Sequence, residues 1–184
     1  MEKEGFLKTL REPVLQADPG SDLLTLRMVV EARASSIHSI RFSEKEDGSA
    51  KITISRLNKG HGHIGPHEFV RRWHRNISRE QAKAFKSLVS RVDYWLLTTP
   101  EDLYMTWEED ALCMHASFFR FRAIQNEKAY DYAFSNCMLV TEGLQLMKAL
   151  YELANITEKD EWSLAEYFAD IWEKPEFENL MSAN

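Results

Sequence analysis

The chain has 184 residues, is 44% hydrophobic and carries five Trp, six Tyr and ten Phe, enough apolar surface for a full core and too much for a disordered chain. Its formal net charge of −6 excludes the overall basic balance of a general nucleic-acid binder. No apolar run reaches the roughly 18 residues of a membrane helix.

Charge is segregated along the chain. Residues 51–95 hold ten Lys or Arg against three Asp or Glu, whereas residues 96–184 hold six against seventeen. Local balances of +7 and −11 are expected to give a bipolar surface that steers a partner or a second copy of the chain.

Residues 1–12 fit a short helix, and Pro13, Pro19 and Gly20 punctuate a turn region. Met1–Arg11 has no apolar stretch followed by a small-residue cleavage site, so a cytoplasmic protein is expected. From Leu24 to Ala32, Leu24, Leu26, Met28 and Val30 alternate with Thr25, Arg27 and Glu31, the pattern of a half-buried strand. Ile37–Phe42 predicts a second strand, Asp47-Gly48 a turn, and Ala50–Leu57 a third strand with Ile52 and Ile54 inward. These three form an antiparallel meander.

A glycine-rich loop, Asn58–Pro66, precedes a basic segment, His67–Asn76, of unassigned structure. Ser78 and Gln81 then match a capping box, and Phe85, Leu88, Val89, Val92 and Leu96 recur at helical spacing, ending near Pro100. Alternation through Leu103, Met105 and Trp107, and again through Phe119, Phe121 and Ala123, predicts a hairpin turning at Glu108–Asp110. A long helix is expected over Lys128–Ala154, with Val140, Leu144, Met147, Tyr151 and Ala154 on one stripe. A last helix is expected over Leu164–Trp172.

The expected architecture is a two-layer α+β domain, a mostly antiparallel five-stranded sheet with helices packed on one face. It spans residues 1–184 as a single domain, with a peripheral N-terminal segment over 1–20 and a tail over 175–184.

Four of six histidines, His61, His63, His67 and His74, fall within fourteen residues. Imidazoles two and four apart on a glycine-rich loop can share a metal ion, which makes His61, His63 and His67 an alternative metal site for a phosphate-binding, metal-assisted hydrolase. Against it stand Arg71, Arg72 and Arg75, whose charge opposes a cation, and the lack of any spaced metal motif. The same arginines, interrupted by Phe69 and Trp73, form either an ordinary solvated face or a binding surface, which suits an acidic protein better than nucleic acid. Glu108, Glu109 and Asp110 form either a solvated turn or an acidic finger for a basic cleft. Ser117, Cys113 and His115 share a strand face without a third member or an oxyanion hole, so no catalytic residue is assigned.

The stretch from Ser78 to Leu112, with Trp95, Leu96, Pro100 and Trp107, followed by Arg120 and a closing helix, resembles small bacterial α+β immunity proteins of interbacterial toxin systems. The likeness covers residues 24–154 and carries no active-site signature. It implies a non-enzymatic cytoplasmic protein without cofactor that binds and inhibits a cognate toxin. A basic nuclease would meet Glu108, Glu109 and Asp110, with Trp107 and Tyr104 as apolar contacts; a different toxin would meet Arg71, Arg72 and Trp73. A homodimer, the +7 segment docking on the −11 segment, is a further expectation.

Overall fold

The computed structural model describes residues 4–16, 21–31, 37–58, 68–91, 118–125, 127–135 and 141–156. All elements below belong to the first of two compact units, Met1–Ala154; of the second, Asn155–Asn184, only residues 155 and 156 are described. The fold is a two-layer α+β domain in which the two main helices pack on one face of an antiparallel sheet.

In chain order the elements are α1 (Glu4–Thr9), β1 (Thr25–Glu31), β2 (Ile37–Glu44), β3 (Ala50–Asn58), β4 (Glu68–Ile77), α2 (Arg79–Arg91), β5 (Phe118–Gln125), β6 (Lys128–Ser135) and α3 (Thr141–Ala154). The sheet order is β4-β3-β2-β1-β5-β6, with every neighbouring pair antiparallel. The meander runs outward from β1 to β4, and the β5–β6 hairpin adds to the other side of β1.

Period-two alternation explains the meander. Leu26, Met28, Val30, Ile40, Phe42, Ile52 and Ile54 share one face and are fully buried there. The β2–β3 turn closes with Gly48 at φ 79, a left-handed conformation that glycine adopts without steric cost. Asp47 fixes the same turn by accepting from the Ser49 amide at 2.9 Å.

Both main helices cover this face. The capping box at the start of α2 forms as expected: the Ser78 hydroxyl accepts from the Gln81 amide, and Gln81 Oε1 accepts from the Ser78 amide, each at 3.2 Å. Ala82, Phe85 and Val89 turn inward, and Phe85 meets Phe42 with ring centroids 4.7 Å apart. In α3, Leu146, Met147, Leu150, Tyr151 and Ala154 are buried at three- and four-residue spacing. That helix has no basic residue in its last turn; Arg75 of β4 supplies the charge, donating from Nη1 to the Leu153 carbonyl at 3.1 Å.

Three expectations change. First, β1 is buried on both faces, because the N-terminal segment, through Leu7, Leu10, Glu12 and Pro13, covers Val29 and Arg27 on its second face. Second, the basic segment is a ten-residue strand, β4, and the expected helix over Lys128–Ala154 is divided into β6 and α3, so the sheet has six described strands rather than five. Tyr130 and Tyr132 fall on one side of β6 and Asp131 on the other, and Tyr132 stacks on Phe121 with centroids 4.7 Å apart. Third, over Phe118–Gln125 β5 has β1 on one edge and β6 on the other; its expected hairpin partner, Leu103–Trp107, lies outside the described residues. The two-residue β5–β6 connection, in which Glu127 takes φ 62, lacks the Asn-Gly or Asp-Gly signal that marks such hairpins.

Candidate functional site

The second face of the sheet is polar at its centre. Strand register places His74, Thr53, Arg41, Arg27, Arg122 and Asp131 directly opposite one another, one from each of the six strands. Three arginines therefore stand side by side on β2, β1 and β5. Like charges directly across a ladder are destabilising, so this row needs negative charge. Arg122 obtains it at one end from Asp131, at 3.2 Å.

The N-terminal segment supplies the rest. Leu7 and Leu10 pack with Val29, Ile37 and Leu57, pinning α1 against this face. Helix α1 then ends in a paired cap: the Arg11 amide donates to Lys8 O at 3.1 Å and the Glu12 amide to Leu7 O at 2.8 Å. Arg11 sits at the left-handed position, φ 55, that this cap usually gives to glycine. The reversal directs Glu12 into the sheet. Its carboxylate has no solvent exposure and lies 3.5 Å from Arg41 Nε, 3.6 Å from Arg72 Nη2 and 4.0 Å from Arg27 Nη1. Ser55 donates to Oε1 at 3.0 Å.

The arginines also hold the strap by its backbone. Arg72 Nη1 donates to the Arg11 carbonyl at 2.8 Å, and Arg27 Nη1 donates to the Pro13 carbonyl. Several buried polar atoms in the cluster have no hydrogen-bond partner: Glu12 Oε2, Arg41 Nε, Arg72 Nε and Ser39 Oγ. Burial holds the Arg41 guanidinium below its usual range; Glu12 opposes that shift, while Arg72 and Arg27 add to it. The exposed His74 is also held below the usual imidazole range, by partial desolvation and then by the charges of Lys51, Arg72 and Arg41. Its Nδ1 is 3.1 Å from Thr53 Oγ1.

On the helix-bearing face, β4 presents a different surface. Arg71 is exposed and its guanidinium carbon lies 4.3 Å from the centroid of the half-buried Trp73 ring. Strand alternation thus separates the expected binding residues: Arg71 and Trp73 share one face, and Arg72 lies on the other beside Glu12. Arg75, from the same basic segment, is committed to α3.

Tyr104, Trp107, Glu108, Glu109 and Asp110 lie outside the described residues, as do His61, His63 and His67, the trio Cys113, His115 and Ser117, and Cys137. Among the described residues no three His, Cys, Asp or Glu side chains are placed to hold a metal ion, and no helix is long and apolar enough to cross a membrane. Sequence reading missed Glu12, Arg27, Arg41, Ser55 and Arg122. The available signal was an arginine at the centre of each of β1, β2 and β5, but only the register shows that the three coincide.

No family model, curated protein or solved structure matches the chain.

Proposed function

We propose that the chain is a non-enzymatic, immunity-type binding protein that inhibits a cognate toxin by docking an acidic surface of it on strand β4. The single observation that carries this reading is the Arg71–Trp73 pair, a guanidinium stacked on an indole on the outermost described strand of that side of the sheet. Arginine and tryptophan are the residue types that most often dominate binding energy at protein interfaces. Here they are preassembled, so little side-chain entropy is lost when a partner arrives. Binding of this kind needs a rigid scaffold and complementary charge, and no chemistry of its own.

The test is co-expression with the product of a neighbouring reading frame that is toxic alone. Viability restored by the wild-type chain, with at least roughly ten-fold weaker toxin binding by Arg71→Glu and Trp73→Ala, is the expected result. Raised salt weakens such an interface by screening its exposed charges. Persistent toxicity despite soluble expression of a confirmed pair, or full affinity in both variants, overturns the proposal.

A further inference from the structure

We infer that Arg41 and Arg72, together with Ser39, form a binding site for an oxyanion of the phosphate class on the strap-bearing face of the sheet. The site is independent of the partner surface on the opposite face of β4.

The first argument is charge. Among the described residues one carboxylate, Glu12, lies near Arg41 and Arg72, and Arg27 lies within 4.0 Å of the same carboxylate. Crediting Glu12 entirely to this pair still leaves a positive charge on side chains that are partly withdrawn from water. Buried charge of that kind is stable when paired and costly when not.

Geometry points the same way. Charge-assisted N–H···O bonds are about 2.7–2.9 Å long, whereas the shortest guanidinium–carboxylate approach here is 3.5 Å. Arg72 and Arg27 spend short bonds on strap carbonyls instead, so the Glu12 carboxylate is held among the arginines without being clasped. Arg72 Nε and Ser39 Oγ are buried without a hydrogen-bond partner, and Arg41 Nε has the long 3.5 Å approach to Glu12 Oε2 in place of a hydrogen bond. Ser39 is fully buried, two residues before Arg41 on β2, and lies in the same cross-strand row as Ser55 and Arg72.

Donors drawn from β2 and β4, the strands on either side of β3, suit a tetrahedral oxyanion, which offers an acceptor in each direction, better than a planar carboxylate or a halide. Entry is from solvent: the Arg41 and Arg72 side chains remain 13% and 28% exposed. His74 is exposed, two residues on from Arg72 on the same face of β4, and gains a partner if it protonates against a bound anion.

The experiment uses the full chain. Orthophosphate is titrated at constant ionic strength against chloride, with thermal unfolding and ³¹P line width as readouts, and O-phosphoserine is titrated in a parallel arm. The expected result is a saturable rise in Tm of about 5 °C at a hundred-fold excess over Kd, with binding at least ten-fold weaker in Arg41→Gln and Arg72→Gln and unchanged in Lys148→Gln. Arg72→Lys, which keeps the charge but loses the planar fork, is expected to weaken binding as well and serves if a glutamine variant does not fold. Binding of both ligands marks a phosphomonoester site, and binding of orthophosphate alone marks a site for the free anion; either supports the inference. A Tm that follows ionic strength alone, or equal phosphate binding in wild type and a folded Arg72 variant, overturns it.

Discussion

Arg27 and Arg41 stand directly opposite each other on β1 and β2, and both guanidinium groups lie within 4.0 Å of the single buried carboxylate of Glu12. Two like charges paired across a ladder are unfavourable by themselves, so a residue 15 positions upstream of Arg27 in sequence is part of what lets this sheet form. The strap is accordingly a structural member of the domain, with Glu12 as its electrostatic reason and Leu7 and Leu10 as its apolar one.

Replacing Glu12 with Gln removes the negative charge and leaves three arginines facing one another. Breaking a buried pair by removing one partner costs about 3–5 kcal/mol. Urea unfolding should show a loss of that size for Glu12→Gln. Arg72→Gln should lose less, because Arg72 is partly solvated and Arg27 and Arg41 remain beside the carboxylate. Equal stability of Glu12→Gln and wild type would remove the strap from the account.

His38 and Tyr151 tie the sheet to α3, with Nε2 and the phenolic oxygen 2.6 Å apart in a buried setting. Tyr151→Phe deletes the hydroxyl and takes this partner from the imidazole nitrogen, at a cost of about 1–3 kcal/mol in equilibrium unfolding. Burial pushes the Tyr151 phenol well above its ordinary range. The unfolded chain therefore releases this proton at lower pH than the folded one does. The stabilisation is complete below the unfolded pKa of about 10 and declines as pH rises beyond it. Ultraviolet titration should show one tyrosine that ionises only when the domain unfolds in alkali.

His74 works in the opposite direction. Its folded pKa is depressed, so the neutral imidazole is favoured and the unfolded state binds the proton more readily. The contribution to stability is present above the unfolded pKa of about 6.5 and is lost as pH falls through the depressed folded value. Imidazole proton shifts followed by NMR should report titration below the usual range. Arg72→Gln should move it upward by removing a nearby positive charge. A His74 that titrates at the same pH in both proteins would contradict the proximity of these groups.

Ser78→Ala should destabilise the domain by about 1 kcal/mol, the usual value of an N-cap side chain. Thermal unfolding will read it as a drop of a few degrees. The effect should exceed that of Ser90→Ala, since the Ser90 hydroxyl bonds only to the Ser87 carbonyl within the same helix.

Where a signal was local, it was legible before folding. Alternation in β1, β2 and β3, the Asp47-Gly48 turn, the Ser78–Gln81 capping box and the apolar stripe through Met147, Tyr151 and Ala154 each depend on residues within one element or one turn. Lys128–Ser135 misled because its apolar residues also fit the helical stripe that follows. Its strand character comes from pairing with β5, a neighbour reached through an Asn-Glu connection without glycine.

Charge shows the same division. Blocks of like sign along the chain set the expectation of two poles, yet the arginine row draws Arg27 and Arg41 from the N-terminal part and Arg122 from the acidic half. Amino-acid order alone determined the class of the fold, strands β1 to β3, the capped start of α2 and the apolar stripe of α3, because those follow from propensity and short-range periodicity. Tertiary structure decided which side chains meet. Register depends on pairing between distant segments, and a shift of one residue in any strand would move its member of the row to the opposite face.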